Sequence, residues 1–254
     1  MPRTDLTADT VVNFDATTSL QSVWDNYANN YDLRGHKLTF LSAPGLTYTN
    51  GGLRTWQGMV GANGARSVLI DFNGSTINMT NGRFAISGGG QDADADPVNA
   101  QGIQLAVRRA TFVGANGGAI FSNGATIAGL DGLFFGPCSL QHNRAVGGSG
   151  IFLLNNYTIC GGAKSHYDAE SGSYVLADGI TVDGLGGTYT FEQFAVGIWA
   201  GQVYAGATFV NCQNFTGQKW NVDKLGMVTT ETGNVNYLPG THDSYGYAEE
   251  GWYD

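Results

Sequence analysis

Apolar residues along this chain come in short bursts separated by glycine, asparagine or aspartate, and the same two-residue steps keep returning. A threonine followed by Phe or Ile occurs at Thr39-Phe40, Thr76-Ile77, Thr111-Phe112, Thr126-Ile127, Thr158-Ile159, Thr190-Phe191 and Thr208-Phe209. From Thr111 onward, the spacing of these steps fits one or two passes of about 16 residues each. A small residue before Ile, at Gly102-Ile103, Ala119-Ile120, Gly150-Ile151, Gly179-Ile180 and Gly197-Ile198, opens the strand ahead of such a step. Short-period recurrence carried by β-branched and aromatic segments predicts a β-solenoid. One rung cannot bury its inward face alone; rungs stacked about 4.8 Å apart pair each strand above and below and align Ile, Phe and Val into inward ladders. A β-sandwich also alternates strands with Gly-rich turns, but it has no reason to repeat one dipeptide at near-multiples of a fixed length.

Ahead of the repeats the period changes. Leu20, Val23, Trp24, Tyr27 and Tyr31 recur at helical spacing, and Thr18 with Gln21 makes a capping-box pattern. A helix over residues 19–31 is therefore predicted, of a length that suits a plug over the open end of a solenoid; an ordinary surface helix is the alternative. Residues 1–18 show little periodicity and read as an N-terminal arm, 19–222 as a capped β-helix, and 223–254 as a last strand with an aromatic-rich tail.

Composition narrows the function classes. Only 13% of residues are charged, 39 are glycine and the net charge is -9. With 12 Lys and Arg and no basic run, neither nucleic-acid binding nor attraction to anionic membranes is expected. No apolar stretch approaches bilayer length and the first residues lack a signal-peptide core, so synthesis and folding in the cytoplasm are expected. Cys138, Cys160 and Cys212 cannot all pair and lack metal-ligand spacing, so they are expected as free buried thiols. No metal site or cofactor is expected.

Candidate chemistry is sparse. Asp92, Asp94 and Asp96 form an acidic cluster that fails the EF-hand register, with Pro97 at its sixth position and Ile103 at its twelfth, and reads as a solvated loop. Arg108-Arg109 on the next strand could pair with that loop. His36, His142, His166 and His242 are far apart and read as loop or surface residues. The carboxylates Asp178, Asp183 and Glu192, with Asp131 upstream, are the only plausible acid or base groups for a glycoside hydrolase, but Asp-Gly at 131, 178 and 183 is also what a tight turn prefers, and the turn is the favoured reading. Tyr245, Tyr247, Trp252 and Tyr253 either pack against neighbouring chains or offer stacking platforms to sugar rings.

The helix Leu20-Gln21-x-x-Trp24, the strand Asp32-Leu33-x-Gly35-x-x-Leu38-Thr39-Phe40, the turn Pro44-Gly45-Leu46-Thr47-Tyr48-Thr49, and Val60-Gly61-Ala62-Asn63-Gly64 followed by Val68-Leu69-Ile70 carry a resemblance. This segment resembles the entry region of right-handed β-helical phage spike and tail-fibre proteins, with a gene transfer agent's head spike as a narrower likeness. The motifs cover roughly residues 19–80 and the rest matches only in rung style. The resemblance implies an all-β, right-handed parallel β-helix with an N-terminal capping helix, assembled as a parallel homotrimer. It further implies a virion-surface protein that attaches to other particle proteins through its arm and binds host capsular polysaccharide. A depolymerase using Asp178, Asp183 or Glu192, and a purely structural virion protein, are the competing expectations.

Overall fold

A computed structural model describes residues 2–55, 57–89, 103–230 and 237–242, and the backbone of 245–246 and 251–253. The chain is all-β, with 53% of residues in strands and 6% in helix, and its parallel sheets form a β-solenoid of about eight turns. The sandwich alternative falls, because every pairing between the described strands is parallel.

Three walls repeat along the stack. Wall I contains Thr10–Phe14, Leu38–Ser42, Thr126–Gly129, Gly150–Leu153, Tyr174–Leu176, Gln202–Tyr204, Gly226–Thr229 and Gly251–Tyr253. Wall II contains Thr47–Thr49, Phe134–Cys138, Tyr157–Ile159, Thr181–Asp183 and Thr208–Val210. The long strands Val68–Asn78 and Gln104–Gly114 bend from wall I into wall II, with a register shift at the bend. Wall III runs from Leu53–Thr55 through Gly117–Asn123 and Ala163–Glu170 to Thr216–Asp223 and Tyr245–Gly246.

Alternation sends every second residue inward. On wall I, Leu105, Ile127, Ile151, Val175, Val203 and Val228 align rung upon rung, all fully buried. On wall II the inward row is Ile77, Phe112, Phe135 and Ile159. These ladders are the hydrophobic core.

The rung is longer than the Thr steps suggest. Successive partners in the inward row of wall I, from Leu105 to Val228, set one turn at about 25 residues, within the range of solenoid repeats. The Thr steps misled because they occupy different walls: Thr111-Phe112, Thr158-Ile159 and Thr208-Phe209 lie on wall II, Thr126-Ile127 on wall I and Thr190-Phe191 on wall III. Strands of all three walls alternate in the same way, so their steps look alike.

The segment read as an arm also carries structure: Thr10–Phe14 pairs in parallel with Leu38–Ser42 and is the first rung of wall I. Helix α1 (Leu20–Asn30) follows it. The N-cap is Ser19, one residue later than the capping-box pattern suggested, and its Oγ accepts from the Ser22 N–H at 3.2 Å. Gln21 reaches elsewhere: its Nε2 donates to the Arg54 carbonyl and its Oε1 accepts from the Arg54 N–H, both at 2.8 Å. Arg54 lies on Leu53–Thr55, the first strand of wall III, so the helix lies where a further strand of that wall would stack. Leu20, Trp24 and Ala28 are its buried stripe, and the Trp24 indole packs on Phe40 with ring centroids 5.6 Å apart.

At the corner from wall III to wall I, two consecutive residues in each of four successive rungs take left-handed conformations. The pairs are Gly147-Gly148, Ser171-Gly172, Trp199-Ala200 and Lys224-Leu225. Just beyond it, rungs approach too closely for any side chain: a Cβ on Gly201 would lie 1.9 Å from the Ala169 carbonyl oxygen, and one on Gly226 1.8 Å from that of Gly197. Parallel pairing also continues past residue 222, where Tyr245 and Gly246 join Asn221 and Val222 of wall III, and 251–253 join 226–228 of wall I. The tail thus adds to the stack.

Candidate functional site

The outward row of wall II runs Thr47, Thr76, Thr111, Phe134, Thr158 and Asp183 in register. Phe135 continues the inward ladder below Phe112, and alternation then forces Phe134 outward, where it is 42% exposed. An aromatic ring among hydroxyls stands in the middle of this wall.

A shallow depression flanks it on each side. One, of about 350 Å³, is lined by Asn73, Gly74, Arg109, Ala110, Thr111, Gly132 and Phe134. The other, of about 300 Å³, is lined by Gly132, Leu133, Phe134, Asn156, Tyr157, Thr158, Thr181, Asp183 and Val210. Together they form a groove with Phe134 as its central platform, hydroxyl and amide groups along its length, a guanidinium toward one end and a carboxylate toward the other.

Both charged groups are held in place. Arg109 has φ 50°, which breaks strand alternation and lets two consecutive arginines converge on one carboxylate. Arg109 donates to both Asp71 oxygens through Nε at 2.8 Å and Nη2 at 2.6 Å, and Arg108 Nε donates to Oδ2 at 2.9 Å. Asp71 is 1% exposed. Burial works to raise its carboxyl, but hydrogen bonds from Arg109, the Asn73 N–H and Arg108 outweigh that and hold it below the usual carboxylate range. The acidic cluster considered as a partner for these arginines, Asp92, Asp94 and Asp96, lies outside the described residues. Asp183 Oδ1 accepts from Asn211 Nδ2 at 3.0 Å and the Leu185 N–H at 2.8 Å, which lower its pKa in that order.

The carboxylates considered for hydrolysis are spread over the surface. Asp178 is exposed in the turn between walls I and II, Asp183 ends a strand of wall II, and Glu192 is exposed on a strand of wall III. Asp131 and Asp178 each precede a glycine of positive φ, Gly132 at 69° and Gly179 at 63°, as turn residues do. Of the tail aromatics, Tyr247 and the side chains of Tyr245, Trp252 and Tyr253 lie outside the described residues. All three cysteines are free, with Cys138 and Cys212 buried and their thiols pushed up to about 12 by burial.

Two histidines expected at the surface are instead fully buried. His142 and His166 lie one rung apart with ring planes nearly perpendicular and centroids 5.1 Å apart, and their Nδ1 atoms are 2.8 Å apart. His142 Nε2 donates to the Gly136 carbonyl at 2.8 Å, so in the neutral ring its Nδ1 must accept. His166 Nδ1 is then the donor, and its Nε2 accepts from the Tyr157 hydroxyl at 2.7 Å, which in turn accepts from Tyr167. One ordered chain of neutral groups satisfies every ring nitrogen, and it is sealed from solvent.

The chain matches no family model, no curated protein and no solved structure. Among the described residues no cluster of three or more His, Cys, Asp or Glu side chains could hold a metal ion, and no helix is long and apolar enough to cross a membrane.

Proposed function

We propose that this protein is a receptor-binding spike or fibre on the surface of a phage-like particle, and that it binds cell-surface polysaccharide. The observation that carries this reading is the wall II groove, where exposed Phe134 sits between two depressions lined by Thr, Asn and charged side chains. Sugar rings stack on aromatic faces while their hydroxyls exchange hydrogen bonds with side chains of this kind, and no titrating group is required. In this reading the solenoid is right-handed, the hand that connections between parallel strands almost always take. Helix α1 is its cap, with Gln21 closing the free edge of wall III, and the working form is a parallel homotrimer attached to the particle near the N-terminal rungs. A gene transfer agent's head spike is one such setting.

Hydrolysis fits less well, since Asp178, Asp183 and Glu192 occupy a corner and two different walls, whereas a glycosidase needs two carboxylates facing one bond. Incubation with purified capsular polysaccharides tests both readings. Binding without release of reducing ends or unsaturated products is expected. Release of such products promotes the depolymerase, and absence of binding to any capsule or cell leaves a purely structural virion protein.

A further inference from the structure

Wall I differs from its neighbours on the outside. From Thr126 to Thr229 its strands send ten side chains or glycines outward, and none is charged. Phe152, Leu176 and Tyr204 stand in register on three successive rungs, half-buried, with the Tyr174 ring against Phe152 at 5.1 Å. In a chain of net charge -9, such a face is where another copy can approach without repulsion.

The corner leading into this wall supplies a second, independent observation. Where earlier rungs place Gly147-Gly148 and Ser171-Gly172 in left-handed conformations, the next two place Trp199-Ala200 and Lys224-Leu225. A left-handed conformation disfavours residues with a Cβ. Trp199, with the Lys224 ammonium 5.0 Å from its ring centroid, is nevertheless 47% exposed and Leu225 71% exposed, so burial within the single chain compensates neither in full. Large apolar groups held at a cost, in solvent, beside an uncharged sheet face are accounted for by a contact outside the chain.

We infer that the outer face of wall I, edged by Trp199 and Leu225, is the surface through which copies of this chain associate side by side. A second copy is the occupant favoured by spacing as well as charge: an identical solenoid presents rows at the same rung interval, so ridges on one can seat between ridges on the other. This rests on the proposed homotrimer and specifies its interface, leaving the wall II groove open to ligand.

Light scattering on the full chain and on Leu176→Glu, Leu225→Gly and a control, Thr158→Glu on wall II, tests it. The parent should return a multiple of the monomer mass at micromolar concentration. Leu176→Glu should return a monomer with an unchanged far-UV circular dichroism spectrum, Thr158→Glu should remain assembled, and Leu225→Gly should dissociate at least tenfold more readily. A parent that is monomeric overturns the trimer and this face together. Assembly lost in Thr158→Glu but kept in Leu176→Glu overturns the face alone.

Discussion

Trp24 shows how much one side chain can carry in this fold. Its indole is 1% exposed, rests on Phe40 and belongs to the only α-helix among the described residues. Truncation to Ala should cost about 3–5 kcal/mol, as large aromatic deletions in cores do. The buried indole N–H has no hydrogen-bond partner among the described residues, so Trp24→Phe should cost much less. Chemical denaturation of both variants checks this, and equal losses would mean that ring size does not decide the contact. The buried histidines make a second residue-scale prediction. Burial lowers the His142 pKa from 6.5 to about 4, and protonation would also leave two Nδ1 donors facing each other. Between those values the unfolded chain binds more protons, so this contribution is complete above pH 6.5 and is lost as pH falls to about 4, on the order of 3 kcal/mol. Asp168 acts oppositely. Burial, then Glu170, raises its carboxyl well above the usual range, so the folded state binds the extra proton and stability falls as pH rises past 3.8. His166, buried against His142, is likewise held well below its ordinary value, so two histidines outweigh one carboxyl: the parent's melting temperature should climb between pH 4 and 6.5, and Asp168→Asn should make that climb steeper. Melting curves across that window decide it; an unchanged profile would remove Asp168 from the balance.

At the scale of elements, Gln21 takes the place of a strand. Its side-chain amide gives the Arg54 peptide the donor and acceptor that a neighbouring rung would supply. Gln21→Ala leaves two partly buried backbone groups without that partner and should cost about 1–3 kcal/mol, measurable by denaturant titration. A loss below about 0.5 kcal/mol would show that water replaces the amide freely. The helix was legible because its 3.6-residue stripe differs from everything after it, and the inward ladders were legible because β-branched and aromatic residues alternate. Rung length was not legible. Parallel partners are chosen by stacking across a whole turn of the solenoid, as Leu105 with Ile127 and Val175 with Val203, and nothing local distinguishes a strand of wall I from one of wall II. The same gap hid the site. Leu133-Phe134-Phe135 is a continuous apolar run, and only the register of Phe135 against Phe112 turns Phe134 outward. His142 and His166 looked unrelated until the pairing of Asn143 with Tyr167 set them on successive rungs.

Taken as a whole molecule, the solenoid carries a different surface on each wall: uncharged outward rows on wall I from Thr126 to Thr229, a hydroxyl-lined groove on wall II, and on wall III a first strand whose Arg54 peptide is bonded by Gln21 of α1. If copies associate through wall I as proposed, folding is coupled to concentration and the melting temperature should rise with protein concentration across the micromolar range. Differential scanning calorimetry at several concentrations checks it, and a concentration-independent midpoint would mean that association adds nothing to stability. The groove should bind as a platform rather than react. Phe134 is exposed and contributes little to the core, so Phe134→Ala should leave stability within about 0.5 kcal/mol of the parent. Losing its ring should nonetheless weaken polysaccharide attachment by about tenfold, the value of one aromatic contact near ~1.4 kcal/mol. Asp178→Asn and Glu192→Gln, remote from the ring on a corner and on another wall, should attach as the parent does. Had either been a general acid or base, its loss would remove about 10² to 10⁴-fold of turnover while binding persisted. Attachment assays on these three variants, read beside reducing-end release by the parent, therefore separate the two chemistries. Turnover abolished by Asp178→Asn or Glu192→Gln with attachment intact would establish an enzyme, and attachment indifferent to Phe134→Ala would move the glycan site away from wall II.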